Sequence, residues 1–251
     1  MLAATSIDQV IDQLDEIVET CRKRSSRLGY FAALYRRVTV KVKQAIAAGR
    51  YEDGPRMECL DVLFANRYID AFHAWGAGRP VTGAWRAAFE AESRWEPLIL
   101  QHLLAGMNAH INLDLGIAAA ECAPGDAITA MAADFRAIND LLFELNQKVE
   151  DQVSVVSPWM GLLDTIGGRT EDAVVEFSIA KARALAWNTA LDLAPMSPAE
   201  REAHIARLDN FVETLGRLVL RPPPVTRAGL LVIRMRETSD AGRVLDMLTE
   251  P

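Results

Sequence analysis

The chain has 251 residues and a mass of 27.6 kDa, with half of its residues hydrophobic and 24% charged. That size fits one large domain or two small ones with a core that needs no disulfide or structural metal, and the composition excludes disorder, collagen-like repeats and low-complexity tails. The net charge of −7 and pI near 5.2 argue against nucleic acid or an anionic membrane as partner, and no run approaches the ~18 apolar residues of a membrane span.

The opening residues, MLAATSIDQVIDQ, bring in acidic and amide side chains too early for a signal peptide. Cys21, Cys59 and Cys122 are odd in number, widely separated and without a CxxC pair. This argues against a disulfide framework or a thiolate zinc site and fits reduced thiols in the cytoplasm. Neither Cys21 nor Cys122 has a histidine or asparagine context suggesting a nucleophile, so the cysteines read as filler hydrophobes.

Helical spacing of apolar residues through the first 220 positions predicts an all-α fold. Ser6 opens a helix to about residue 25, and a second spans roughly 28–49 despite the β-rich Val38-Thr-Val-Lys-Val. Gly54-Pro55 resets the chain and starts a helix over about 56–75. After the Gly76–Pro80 turn comes a short helix near 82–92, and Pro97 begins a long one to about 121. Asp126 is a candidate cap for a helix over about 127–151. Thr170 caps another over about 171–194, and Ser197-Pro-Ala-Glu200 fits a capping box for one ending near 219. Beyond Arg221-Pro-Pro-Pro224, Gly229–Arg234 is open as strand or helix, and Ser239 is a candidate cap for a last helix. Residues 1–220 thus read as one helical domain and 221–251 as a Pro-rich connection with a C-terminal appendage.

The 97–121 segment is apolar nearly all round, which predicts burial at the centre of the domain. On a regular α-helix with His102 at 0°, His110 falls at about 80° and Asp114 at about 120°, one turn apart on an apolar face. Gln101, Asn108 and Asn112 gather separately, between about 240° and 280°. Gly106, on the histidine face, leaves open space or admits a close helix approach. A buried ionisable pair is costly unless satisfied. His110–Asp114 therefore reads either as a structural hydrogen bond or as a functional pair, in which His110 is a general base or metal ligand.

If the 97–121 and 127–151 helices form a central antiparallel hairpin, Asp114 faces Asp134, and His110 faces the Ile138-Asn139 region. His110, Asp114 and Asp134 would then be a catalytic set or the ligands of a divalent metal. The competing reading leaves Asp134 as a boundary residue in solvent. Asp70 and His73 fall on the wet stripe of an amphipathic helix, and no second copy completes a di-iron motif. On the 171–194 helix, Arg183 is either an anion contact or a buried arginine paired with Glu176 and stacked on Trp187. Signatures of serine hydrolases, kinases and nicotinamide dehydrogenases are absent.

The stretch Gln101-His-Leu-Leu-Ala-Gly-Met-Asn-Ala-His-Ile-Asn-Leu-Asp-Leu-Gly resembles the signature of an uncharacterised family, a domain of unknown function found in bacteria and fungi. The resemblance extends from Asn66-Arg-Tyr through Trp85 and Phe89 to Asp134-Phe135 and Phe177–Arg183. It implies a single helical domain and carries no activity. The His-x-x-x-Asp spacing is also similar to zinc-dependent phospholipase C and related nucleases, but their further downstream His and Glu ligands are missing here.

Two functional classes follow. The first is a cytoplasmic enzyme acting on a small molecule between helices, by hydrolysis, with or without a divalent metal, or by lyase or cyclase chemistry. It would use His110, Asp114 and Asp134, with His102, Asn108, Asn112 and Arg183 as substrate contacts. The second is a non-catalytic helical binding or scaffold protein in which the same groups are structural.

Overall fold

The computed structural model describes residues 2–138 and 179–250. Among the described residues the chain forms α-helices and no strand, so the fold is all-α. Helices α1 (Ile7–Arg24), α2 (Gly29–Ala47) and α3 (Gly54–Gly76) come first, followed by the short α4 (Gly83–Glu90). Ser6 accepts the Gln9 amide at 3.3 Å to start α1, and Asp53 accepts the Arg56 amide at 2.9 Å to start α3. The β-rich Val38–Val42 stretch is helical within α2, with Tyr35, Thr39 and Val42 buried at helical spacing. Burial of that face overrides the local strand propensity.

The long segment begins at Ile99 rather than Pro97, where the Gln101 side chain accepts the Leu98 amide at 3.0 Å. It is one continuous rod with a change of winding in the middle: α5 (Ile99–Met107), a π-helical stretch (Asn108–Leu115) and α6 (Gly116–Cys122). Between Ile99 and Ala120 only Leu100, Met107 and Ile111 escape full burial, as an all-round apolar pattern requires. The rod packs on α2, α3 and α4, and on two later helices, α7 (Ile179–Leu193) and α8 (Pro198–Leu220). Gly106 serves close approach: a Cβ there would lie 2.7 Å from the Phe31 ring.

The rod does not continue into a regular hairpin. Residues Gly125–Met131 form a 3₁₀ turn, Asp126 makes no cap, and α-helix resumes over 132–138. The expected stretch from 139 to about 151 lies outside the described residues, as do Thr170 and Glu176. Ser197 and Glu200 make the expected capping box, with the Ser197 amide donating to Glu200 at 2.9 Å. The open Gly229–Arg234 segment is helical, within α9 (Pro224–Arg234). The last helix, α10 (Ala241–Thr249), is capped by Asp240, not Ser239: its carboxylate accepts the Arg243 amide at 3.1 Å.

Candidate functional site

The π-helical stretch carries four polar side chains and sends them in two directions. Toward α8, the Asn108 amide donates to the Val212 carbonyl at 2.8 Å and its oxygen accepts from Asn112 at 2.9 Å. One heptad earlier on the rod, Gln101 donates to the Val219 carbonyl at 2.6 Å. Gly216 makes room for this amide row, since a Cβ there would lie 3.1 Å from the Asn108 nitrogen. Asn108 and Asn112, anticipated as substrate contacts, thus have their amides engaged, Asn108 in holding the rod to α8 and Asn112 in bonding Asn108.

Toward α2, α3 and α4 the stretch presents His110 and Asp114. Asp114 is 1% exposed and both oxygens are used: Oδ1 accepts from Arg67 Nε at 2.9 Å, and Oδ2 from Trp85 Nε1 at 2.8 Å. Burial pushes its carboxyl up, but the Arg67 charge, the imidazole and the indole N–H outweigh that and hold it below its ordinary value. His110 Nδ1 stands 3.8 Å from Asp114 Oδ2, a contact too long for a hydrogen bond.

The His110 ring is packed by aromatics. Phe64 stacks on it with centroids 3.5 Å apart, Tyr35 meets it edge-on at 4.3 Å and Phe31 at 5.3 Å, with Trp85 and Tyr68 just beyond 6 Å. Neither ring nitrogen has a hydrogen-bond partner, and the buried hydroxyls of Tyr35 and Tyr68 have none either. Burial lowers the His110 pKa, opposed in part by Asp114, so the imidazole is neutral and offers one donor and one acceptor.

The other expected residues lie elsewhere. Asp134 is buried, but its carboxylate accepts the Glu52 and Asp53 amides at 2.7 and 3.2 Å and Arg56 Nη2 at 2.7 Å. It pins the entrance of α3, while Asp114 is bonded to Arg67, eleven residues and about 16 Å of helix rise further along. The two aspartates therefore serve the start and the middle of α3, because the 3₁₀ turn replaces the straight hairpin that would have aligned them. Among the described residues no three His, Cys, Asp or Glu side chains gather as a metal-ligand group. His102 is buried against Tyr30, its Nε2 3.3 Å from Arg27 Nη1, and burial and then the arginine charges take its pKa down to about 3. Arg183 donates to the Phe135 carbonyl and lies 4.5 Å over the Phe135 ring, not over Trp187.

Sequence reasoning passed over Asp61. It is buried on α3, its Oδ2 has no partner, and burial with Glu58 nearby pushes its pKa up to about 8. When ionised it helps burial raise the pKa of Tyr35, which contacts His110. The signal was present, since Asp61 interrupts the Met57–Phe64–Tyr68 stripe at helical spacing.

An all-α protein built around a buried imidazole on a π-helical segment is the class these observations define. The chain belongs to the family of unknown function DUF5995, which matches residues 7–222. Neither the curated proteins nor the solved structures provide a match. Among the described residues no helix is long and apolar enough to cross a membrane.

Proposed function

We propose that this chain is a cytoplasmic enzyme that takes a small polar molecule against His110 and acts on it by acid–base chemistry. The observation that carries this reading is the pair of unpartnered nitrogens on a wholly buried imidazole. Buried polar groups are almost always satisfied, and an exception calls for a ligand, a water or a catalytic role. The π-helical winding supports the reading, because such segments cost regular hydrogen bonding and occur often at functional sites. His110 would be the base, and Asp114, anchored by Arg67 and Trp85, would favour the imidazolium formed when a proton is taken. Hydrolysis and lyase or cyclase steps both suit such a pair. A metal is not needed in this scheme, since both Asp114 oxygens already accept hydrogen bonds. The acidic net charge favours a small-molecule partner over nucleic acid or an anionic membrane.

A second reading, a non-catalytic binding or scaffold protein, draws on the same Asp114 bonds. Arg67 belongs to α3 and Trp85 to α4, so Asp114 ties both helices to the rod whatever His110 does. A melting-temperature screen of small polar metabolites against wild type and His110→Phe tests the proposal. Compounds that raise the wild-type midpoint and leave the folded variant unmoved support it, whereas equal responses of the two proteins count against it.

A further inference from the structure

The Arg67–Asp114 bond fixes how α3 runs against the end of the rod. Arg67 Nε reaches Asp114 at 2.9 Å, and the two segments pack against each other along their lengths. Stepping eight residues back along α3 from Arg67 arrives at Cys59, and eight residues forward from Asp114 arrives at Cys122. The antiparallel register that joins the charged pair thus also sets two cysteines at the same level of the two segments. Independent contacts agree: the Cys122 sulfur lies 3.5 Å from the Arg56 carbonyl, one helical turn before Cys59. Cys59 also lies near enough to help raise the Cys122 pKa. Cys59 is exposed and Cys122 is half-buried, so an oxidant meets Cys59 first. The remaining cysteine, Cys21, is buried in the core.

We propose that Cys59 and Cys122 form a reversible disulfide that clamps α3 to the C-terminal end of the rod. The oxidant is a low-molecular-weight disulfide of the glutathione class. The Cys59 thiolate attacks one of its sulfurs, giving a mixed disulfide and releasing one glutathione thiolate. Cys122 then loses its proton to solvent and attacks the Cys59 sulfur, releasing the second glutathione thiolate. Two protein thiols become one disulfide, and one glutathione disulfide becomes two thiols. Burial and the neighbouring Cys59 thiol push the Cys122 thiol up to about 12, so it is a poor nucleophile toward a molecule in solution. Its attack on Cys59 is intramolecular, where high effective concentration compensates. Because α3 carries Phe64 and Arg67, the bond would restrict its movement against His110 and Asp114.

The test is peptide mapping by mass spectrometry of the folded protein incubated with oxidised glutathione and then alkylated. The expected result is a Cys59–Cys122 peptide pair lighter by two hydrogens, restored to free thiols by dithiothreitol, with Cys21 alkylated only after denaturation. Cys59→Ser, at an exposed position, should abolish the cross-link, and Cys122→Ser should leave Cys59 carrying glutathione. Persistent glutathione on Cys59 of the wild type would overturn the proposal. So would disulfide-linked dimers in place of the internal bond, or a cross-link that forms only in denaturant.

Discussion

His110 and Phe64 are stacked face to face, with ring centroids 3.5 Å and planes 11° apart, so the imidazole occupies a place shaped for an aromatic hydrocarbon. A phenyl ring at position 110 would keep a flat aromatic ring, one ring atom larger, and remove two buried nitrogens that have no partner.

His110→Phe is therefore expected to melt at or above the wild-type temperature, since replacing buried polar groups by apolar ones of like shape is nearly neutral or stabilising. His110→Ala should instead lose about 2–5 kcal/mol by leaving a cavity. Denaturant titration of both variants checks this. A large loss in the phenylalanine variant would mean that the imidazole is bonded in solution and serves structure.

Asp134→Asn and Asp114→Asn should both destabilise, each by about 3 kcal/mol, because each leaves an arginine without its buried carboxylate. They should differ in function. A ligand that responds to His110 should bind the Asp134 variant as it binds wild type and bind the Asp114 variant more weakly. Calorimetric titration with that ligand separates them.

Stability should also depend on pH through two buried groups of opposite sign. His102 falls from an ordinary 6.5 to about 3 on folding, so between these values the unfolded chain binds the extra proton and stability drops as pH falls. Asp61 rises from 3.8 to about 8, so the folded chain holds the extra proton and stability drops as pH rises through that window. From 6.5 to 8 the Asp61 effect acts without opposition from His102, at about 1.4 kcal/mol per pH unit in the limit. Asp61→Asn should flatten the profile there and leave the acid side steeper, as urea midpoints across the range would show.

Gly116→Ala is expected to cost about 1–3 kcal/mol, an ordinary overpacking penalty. Its Cβ would lie 2.7 Å from the Ala186 carbonyl oxygen, a backbone atom that cannot turn aside. Thermal melts should show the loss, and Gly76→Ala, where nothing lies within 4 Å, is the control.

Much of the helical frame was legible because burial and capping leave periodic marks: Ser6, Pro55 and the Ser197–Glu200 box all act as their spacing suggested. The centrality of the rod was equally readable from its all-round apolarity. What failed was the assumption of constant winding and a straight hairpin. Nothing in Asn108–Leu115 announces π-helix, because its side chains are compatible with either winding and tertiary packing decides. The 3₁₀ turn over Gly125–Met131 likewise sent Asp134 to the start of α3. Arg67 and Trp85 were missed as Asp114 partners because they come from other helices, and single-helix geometry cannot pair them. Asp61 was missed although its place in an apolar stripe marked it.

The two amides that reach from the rod to α8 have a mechanical consequence. Gln101 and Asn108 are a heptad apart, and so are their acceptors, Val219 and Val212. Such a pairing works as a ratchet with a single tooth spacing. Sliding α8 by one residue unseats both amides at once, and the next matching position lies about 10 Å away. Creep along that seam is blocked, and Arg67–Asp114 ties α3 to the rod, so breathing that admits a molecule to His110 is expected from the α2 flank, where Phe31 and Tyr35 meet the imidazole as rings.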